Sequence, residues 1–361
     1  MRVLFCGGGT AGHVNPAIAI AQTVMKNSVD NRIAYVATEN GIENRLVDFK
    51  KYHIDVIGLK RSLSPKNIQF FYKQVKAIEK CKEIIREFRP DIIFGTGGYA
   101  TYPVISAGVK LGVKTVLHES NAIPGKAILS LEKKVDKIFV NFLESAKYFK
   151  HKEKILHTGN PIRNGFETYS KEEAKRLMGI KERYVILCVG GSLGAERINE
   201  AVLEMLENFV CQRRDVYLIW STGRKEYEKV LQRVLTRRLG KLENVMISEY
   251  IENMPLAMAS ADVVVSRAGA MTVSELAYTG KASVIVPSPN VTNNHQFVNA
   301  KALSDTMSAV MITEDRLYTL TDTVRELVNN EKMRKSLEKN INQYALKNAN
   351  KLIFTYMQEL L

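Results

Sequence analysis

Three groups of side chains in this sequence have the types and spacing for chemistry. The first is His13, directly behind the turn Gly7-Gly8-Gly9-Thr10-Ala11-Gly12. That turn follows the apolar run Val3–Cys6, so it reads as a strand, a glycine loop and a helix start. Backbone N–H groups at such a start attract anions, and glycine lets a ligand come close to the chain. A histidine in the first helical turn faces the positive end of the helix dipole, which disfavours imidazolium and leaves a neutral ring fit for general-base work. The alternative is a histidine that merely caps the turn. The spacing Gly7-x-Gly9-x-x-Gly12 also matches the dinucleotide fingerprint, which calls for an acid near the end of the next strand; Glu39 is the nearest and stands late.

The second group lies in the second half. Val185–Val189 runs into Gly190-Gly191-Ser192-Leu193-Gly194-Ala195, and Val263–Ser266 into Arg267-Ala268-Gly269-Ala270-Met271-Thr272-Val273-Ser274-Glu275. A helix starting near Ala270 would offer N–H groups to a phosphate, and Glu275, one turn in, could accept both hydroxyls of a ribose. Against this stands a structural reading: Thr272-x-x-Glu275 is formally a capping box. Two phosphate-facing turns in one domain favour a nucleotide diphosphate. The third group is Asn293-Asn294-His295-Gln296-Phe297-Val298-Asn299-Ala300, opening a helix after Pro287-Ser288-Pro289. Gln296 could bond sugar hydroxyls or simply be solvated, and Arg163 could reach a phosphate or face water.

The elements that must position these groups alternate. Strands read at Val3–Cys6, Ile33–Val36, Ile92–Phe94, Thr115–Leu117 and Ile138–Val140, with helical stretches such as Pro16–Asn27 and Lys66–Phe88 between them. Alternating β and α units imply a parallel sheet covered on both faces, with ligands at the carboxyl ends of the strands. Those ends carry Gly7–His13, Thr96-Gly97-Gly98-Tyr99 and His118-Glu119-Ser120-Asn121. Asn160-Pro161 breaks the pattern, since the residue before proline is pushed out of the helical region. The plan then repeats, with strands at Val185–Val189, Val216–Trp220, Val245–Ser248, Val263–Ser266 and Ser283–Val286 and a helical tail from Thr321. The expected fold class is α/β, two Rossmann-like doubly wound parallel-sheet domains facing across a cleft. The expected domains are 1–160 and 161–361, with the final helix packing back on the first.

Composition narrows the function. The chain has 361 residues, 45% hydrophobic and 25% charged, enough for two α/β cores. Met1–Cys6 runs straight into the first turn and reads as a core strand rather than a signal peptide, so a cytoplasmic protein is expected. The net charge of +14 asks for a polyanionic partner or surface, yet the cations are dispersed and carry no nucleic-acid signature. The cysteines Cys6, Cys81, Cys188 and Cys211 show no paired spacing and read as buried thiols. No Asp-x-Asp and no His or Cys cluster points to a metal. The stretch Lys60–Lys76 mixes five cations with Phe70, Phe71 and Tyr72, which suits either an interfacial helix on anionic lipid or a helix packed on the sheet.

Taken in order, seven segments resemble one family. They are Gly9-Thr10-Ala11-Gly12-His13-Val14-x-Pro16, Gly97-Gly98-Tyr99, His118-Glu119-Ser120-Asn121, Gly159-Asn160-Pro161-Ile162-Arg163, Gly190–Ala195, Arg267-x-Gly269–Glu275 and His295-Gln296-x-x-Asn299-Ala300. The sequence is similar, from Met1 to about Ala302, to the MurG family of peptidoglycan N-acetylglucosaminyltransferases, GT-B enzymes of glycosyltransferase family 28. The resemblance implies inverting, metal-independent transfer of GlcNAc from UDP-GlcNAc to the C4 hydroxyl of lipid I, giving lipid II, with no cofactor. It implies that His13 is the candidate base and that Thr10, Ala11, Gly12, Asn121 and Arg163 border the donor. It implies that Ser192 approaches the diphosphate and that Ile251 meets uracil through its backbone. Ala270, Met271, Thr272, Val273, Ser274 and Glu275 would hold diphosphate and ribose, and Gln296 the GlcNAc hydroxyls. It implies a peripheral protein on the cytoplasmic face of the membrane, touching an anionic lipid surface and possible partners in a cell-wall synthesis complex. Ala11, Ser120 and His295 depart from the family pattern. A transferase for another lipid acceptor, a UDP-GlcNAc 2-epimerase, a non-catalytic membrane scaffold and a dehydrogenase remain alternatives.

Overall fold

Strands buried on both faces need helices on both faces, and each half of the chain meets that need with βαβ crossovers. The computed structural model describes residues 1–56, 66–191, 194–237, 239, 242–291 and 294–361, with backbone alone at 66–71. They form two units: Met1–Asn164 with Leu346–Leu361, and Gly165–Ala345.

The first unit holds β1 (Arg2–Cys6), β2 (Arg32–Thr38), β3 (Lys51–Ile54), β4 (Ile92–Gly95), β5 (Lys114–Glu119), β6 (Lys137–Val140) and β7 (Ile155–His157). Its helices are α1 (Ala11–Asn27), α2 (Glu43–Leu46), α3 (Lys66–Phe88), α4 (Thr101–Lys110) and α5 (Lys126–Leu131). The sheet order is β3-β2-β1-β4-β5-β6-β7, and every pairing is parallel. Strand alternation splits β1 between two cores. Leu4 and Cys6 pack with Cys81, Ile84 and Ile85 of α3, while Val3 and Phe5 pack with Val14, Ile18 and Ala21 of α1. Helix α1 starts at Ala11, earlier than the apolar stretch suggests, and carries Pro16 inside it.

The second unit holds β8 (Tyr184–Val189), β9 (Val216–Ser221), β10 (Val245–Ser248), β11 (Val263–Arg267), β12 (Ser283–Val286) and β13 (Val310–Met311). Its helices are α6 (Lys171–Leu177), α7 (Glu196–Asn208), α8 (Tyr227–Thr236), α9 (Met254–Ser260), α10 (Ala270–Thr279), α11 (His295–Asp305), α12 (Leu320–Asn329) and α13 (Glu331–Ile341). The sheet order is β10-β9-β8-β11-β12-β13, again parallel throughout. The last helix, α14 (Ala349–Glu359), returns to the first unit, where Ile353, Phe354 and Met357 join the α1 core and Tyr356 stacks on Phe139.

Both sheets reverse strand order at a switch point, between β1 and β4 in the first unit and between β8 and β11 in the second. Open α/β sheets bind ligands outside the carboxyl ends of the strands at such points. Cys6, Cys81 and Cys188 are buried thiols that burial drives upward in pKa, Cys81 to about 12; Cys211 is exposed, contrary to the expectation of a buried thiol.

Candidate functional site

At the first switch point the start of the glycine turn, Gly7-Gly8, is buried and tightly packed, while Gly9, Thr10 and Gly12 are exposed. Thr96, following β4, donates its hydroxyl to the carbonyls of Cys6 and His13. A Cβ at Gly7 would overlap that hydroxyl oxygen, and one at Gly98 would overlap the carbonyl of Gly8. Gly97 and Gly98 hold φ of +98° and +78°, where side chains are strained. Tyr35 donates to the Gly7 carbonyl at 2.8 Å. The close approach that these glycines permit is therefore between two loops of the same sheet.

His13 stands half-buried in the first turn of α1, and its Nδ1 lies 3.0 Å from the Thr96 carbonyl. A carbonyl oxygen only accepts, so in that bond Nδ1 carries the proton. The neutral ring then has its basic lone pair on Nε2. Thr10 is the N-cap residue, in extended conformation and without a side-chain capping bond, and Ala11 and Gly12 are the first helical residues. The acid facing this turn is not Glu39, which is exposed, but the buried Glu43, whose Oε1 accepts from Thr38 N–H at 2.9 Å and Thr38 hydroxyl at 2.6 Å.

Asn121 follows β5 and is held by Glu119. Glu119 Oε1 accepts from the Asn121 backbone at 2.8 Å and its Nδ2 at 3.0 Å, and Oε2 accepts from Gly125 N–H at 2.8 Å. Burial raises the Glu119 pKa, and these N–H donors oppose that shift. His118 is fully buried, and desolvation lowers its pKa to about 4. Its Nε2 donates to the Gly159 carbonyl at 3.1 Å. Arg163, half-buried, lies five residues past Thr158 on the segment that leaves β7.

Among the described residues the second switch point is the more open at the turn that starts α10. Gly269 is the N-cap of α10 and has no side chain with which to cap it, and no acid stands in the first turn. Thr272-x-x-Glu275 is therefore not a capping box, because the helix begins at Ala270 and puts Glu275 in its second turn. A Cβ at Gly269 would meet nothing closer than 3.9 Å. Across the switch point, Gly191 has open space and a φ of +95°. Ser192 and Leu193 lie outside the described residues. Asn199 of α7 ties that helix to the carboxyl end of β9, donating to the Thr222 carbonyl at 2.9 Å and accepting from Trp220 Nε1 at 3.0 Å.

Ala270, Met271, Val273 and Glu275 are buried, with Thr272 and Ser274 half-buried. Ile251, buried, follows β10 at the same carboxyl edge. Gln296, in the first turn of α11, accepts from Ser288 N–H at 2.9 Å, which leaves its amide N–H₂ as the end able to donate to a sugar. Beside it a cavity of about 410 Å³ is lined by Arg197, Ser288, Phe297, Thr313 and Glu314 among others, a volume suited to a small ligand. Arg267 Nη2 holds Glu314 at 2.5 Å. Motif reading does not find Asn199 and Glu314 because their partners are distant in sequence, nor Glu43, whose local bonds to Thr38 match no motif.

Of the Lys60–Lys76 stretch, 60–65 lie outside the described residues, as do the side chains of Lys66, Phe70 and Phe71. Beyond them α3 exposes Tyr72 and Val75 at 59% and 63%, with Lys76 over the Tyr72 ring and Lys73 paired to Asp55. Among the described residues no helix is long and apolar enough to cross a membrane.

Residues 3–140 match the glycosyltransferase family 28 N-terminal domain, and residues 185–353 the C-terminal domain of the same family. A protein of Thermoanaerobacter sp., named UDP-N-acetylglucosamine–N-acetylmuramyl-(pentapeptide) pyrophosphoryl-undecaprenol N-acetylglucosamine transferase, is 41% identical over 321 residues, 88% of this chain and 87% of its own. A protein of the same name from Acetivibrio thermocellus is 37% identical over all of this chain and 98% of its own. The crystal structure of Acinetobacter baumannii MurG superposes with a TM-score of 0.73 at 26% identity, covering 99% of each chain.

Proposed function

The chain belongs to glycosyltransferase family 28, and from that membership we infer that it is a hexosyltransferase moving GlcNAc from UDP-GlcNAc to undecaprenyl-pyrophosphoryl-MurNAc-pentapeptide, lipid I. The observation that carries the acceptor is the shared name of relatives aligned over the whole chain.

The chemistry we assign is a single displacement at the anomeric carbon. The C4 hydroxyl oxygen of the acceptor bonds to C1 of GlcNAc as the bond from C1 to the β-phosphate oxygen breaks, which inverts the centre. The hydroxyl proton passes to Nε2 of His13, whose Nδ1–H bond to Thr96 selects that tautomer. UDP leaves as an anion. The uncapped start of α10 and the guanidinium of Arg163 supply the compensating positive charge, so the reaction needs no divalent metal. Glu275 accepts from the ribose hydroxyls, Ile251 borders uracil, and the Gln296 N–H₂ meets the sugar. Thr10, Ala11, Gly12 and Asn121 shape the approach from the first unit, and Ser192 joins the diphosphate contacts.

Lipid I carries a long polyprenyl chain, so the enzyme works at a membrane surface. We assign the exposed Tyr72 and Val75 of α3, with the cations around them, to that contact on the cytoplasmic face. Charge reversal of Lys73 and Lys76 should abolish salt-sensitive sedimentation with anionic liposomes.

The deciding assay is labelled UDP-GlcNAc with a short-chain lipid I analogue, run with and without EDTA. Label transferred to the lipid in both arms is the expected result. Free epimerised sugar nucleotide without acceptor, or no UDP release at all, defeats the assignment; loss of turnover in EDTA defeats its metal-free form.

A further inference from the structure

The segment Gly159-Asn160-Pro161-Ile162-Arg163-Asn164, where the chain leaves β7, is irregular, and its backbone polar groups need partners. Gly159 N–H still donates to the Val140 carbonyl of β6 at 3.2 Å. Beyond that bond, side chains from four separate places in the first unit supply them. His118 of β5 donates to the Gly159 carbonyl, and Asn141, following β6, accepts from Asn160 N–H at 3.0 Å. Asn350 of α14 accepts from Ile162 N–H at 2.9 Å and donates to the Ile162 carbonyl at 2.8 Å. Gln22 of α1 accepts from Asn164 N–H at 3.1 Å.

Asn350 is the centre of this arrangement. One amide makes both bonds of a β-bridge with a residue 188 positions earlier. Its Nδ2 also donates to Thr23 Oγ1 of α1 at 3.2 Å. It thereby ties the segment to α1, the helix whose first turn carries His13. The packing agrees: Gly159 sits at φ +80° with no room for a Cβ beside Leu346, at the start of the returning chain. Fixing a backbone on both sides of one arginine is the arrangement expected where that arginine must arrive at one place.

We propose that Asn350 is a positioning residue for the transfer reaction: its amide holds Ile162 from both edges so that the adjacent Arg163 is presented to the diphosphate of the sugar nucleotide. The proposal rests on the assignment of Arg163 to the leaving UDP. Asn350 touches neither substrate nor the reacting atoms.

The test uses the full chain in three forms, Asn350→Ala, Arg163→Ala and the double variant, with UDP affinity by calorimetry, KM for UDP-GlcNAc, kcat and the thermal midpoint. Asn350→Asp stands in should the alanine variant not fold; it keeps the size and the Ile162 N–H acceptor but loses both donor bonds. Arg163→Ala should weaken UDP binding roughly tenfold or more, as expected for a lost charged hydrogen bond. Asn350→Ala should reproduce most of that loss, and the double variant should be no worse than Arg163→Ala, since the two act as one unit. An Asn350 variant that lowers the thermal midpoint while leaving UDP affinity and KM unchanged overturns the clamp, as does a double variant whose loss is the product of the single losses. Unchanged UDP affinity in Arg163→Ala overturns the assignment of Arg163, and the clamp with it, whereas a weakened Arg163 variant beside a normal Asn350 variant overturns the clamp alone.

Discussion

The turns that open α1 and α10 both lie at a switch point, yet among the described residues one is pressed shut and the other left open. At β1–α1 the glycines exist because Thr96, Tyr35 and the Gly97–Gly98 loop press against them. At β11–α10 a Cβ on Gly269 would find space, as would one on Gly191, although Gly190 and Gly194 of that glycine loop are pressed against Ala195 and the Thr222 carbonyl. The same residue type thus serves two purposes: at Gly7 and Gly98 it lets loop pack on loop, and at Gly269 it leaves space beside the first turn of a helix. The shut turn positions a side chain, His13. The open turn presents backbone. A base and an anion site are what a sugar transfer from a nucleotide needs, and the proposed function assigns the first to His13 and the second to the start of α10.

The strongest way to break this comparison is His13→Ala. Loss of a general base typically costs ~10²–10⁴-fold in rate, about 3–5 kcal/mol. Turnover should fall by that range, while calorimetric UDP affinity stays at the wild-type value. A variant that turns over normally would demote the shut turn to scaffold.

Next comes Gly98→Ala. The new Cβ would collide with the Gly8 carbonyl at a backbone with φ +78°. Backbone cannot swing aside as a side-chain tip can, so a loss of about 2–4 kcal/mol of stability is expected. Urea unfolding reads it; a change under half of that would mean that the loops are not packed as described.

Acid should separate the units by a similar amount. His118 is neutral and buried in the first unit, with its pKa lowered from 6.5 to about 4. The unfolded chain binds this proton below about 6.5 and the folded chain does not until about 4, so stability is lost as pH falls through that window. The linkage amounts to about 3 kcal/mol when complete. Glu119 works in the opposite sense, since its raised pKa lets the folded state take a proton first. In the second unit, burial lowers Lys281 to about 8, so its window lies between there and its ordinary value and leaves the acid range alone. Hydrogen exchange at pH 7 and pH 5 should show the β5 region of the first unit losing protection before β8 and β11. Equal loss in both units would contradict the assignment.

Glu275→Ala tests the open turn. Removing a charged hydrogen-bond partner of a ribose should weaken UDP by about 1–3 kcal/mol, with kcat at saturating donor little changed. Unchanged affinity would take Glu275 out of the nucleotide site.

Much of this architecture is legible in the apolar runs. The long central strands, buried on both faces, announce themselves as Val3–Cys6 and Val185–Val189 do. Three of the four edge strands do not: Lys51–Ile54, Ile155–His157 and Val310–Met311 are short and partly exposed, so they carry neither a continuous apolar run nor a clear alternation, whereas the fourth, Val245–Ser248, is legible. Motif spacing finds the turns as well. What it cannot find is whether a glycine is pressed or free, because the answer lies with Thr96, some ninety residues away from Gly7. For the same reason Thr272-x-x-Glu275 imitates a cap that the helix start at Ala270 rules out, and Asn350 carries no signal until it is seen against Ile162.

The smallest expected effect is the sharpest probe of the difference. Gly269→Ala adds one methyl at φ −66°, a conformation alanine adopts freely, into space with no neighbour inside 3.9 Å. An N-cap alanine is slightly worse than glycine, so stability should change by less than about 1 kcal/mol, far below the loss at Gly98. The methyl would nonetheless project beside the N–H groups assigned to the diphosphate. UDP affinity should therefore fall while the unfolding midpoint holds. A stable Gly269→Ala protein with undiminished UDP affinity would mean that the open turn is merely unfilled surface, and the anion site would have to be sought at Gly190–Gly194 instead.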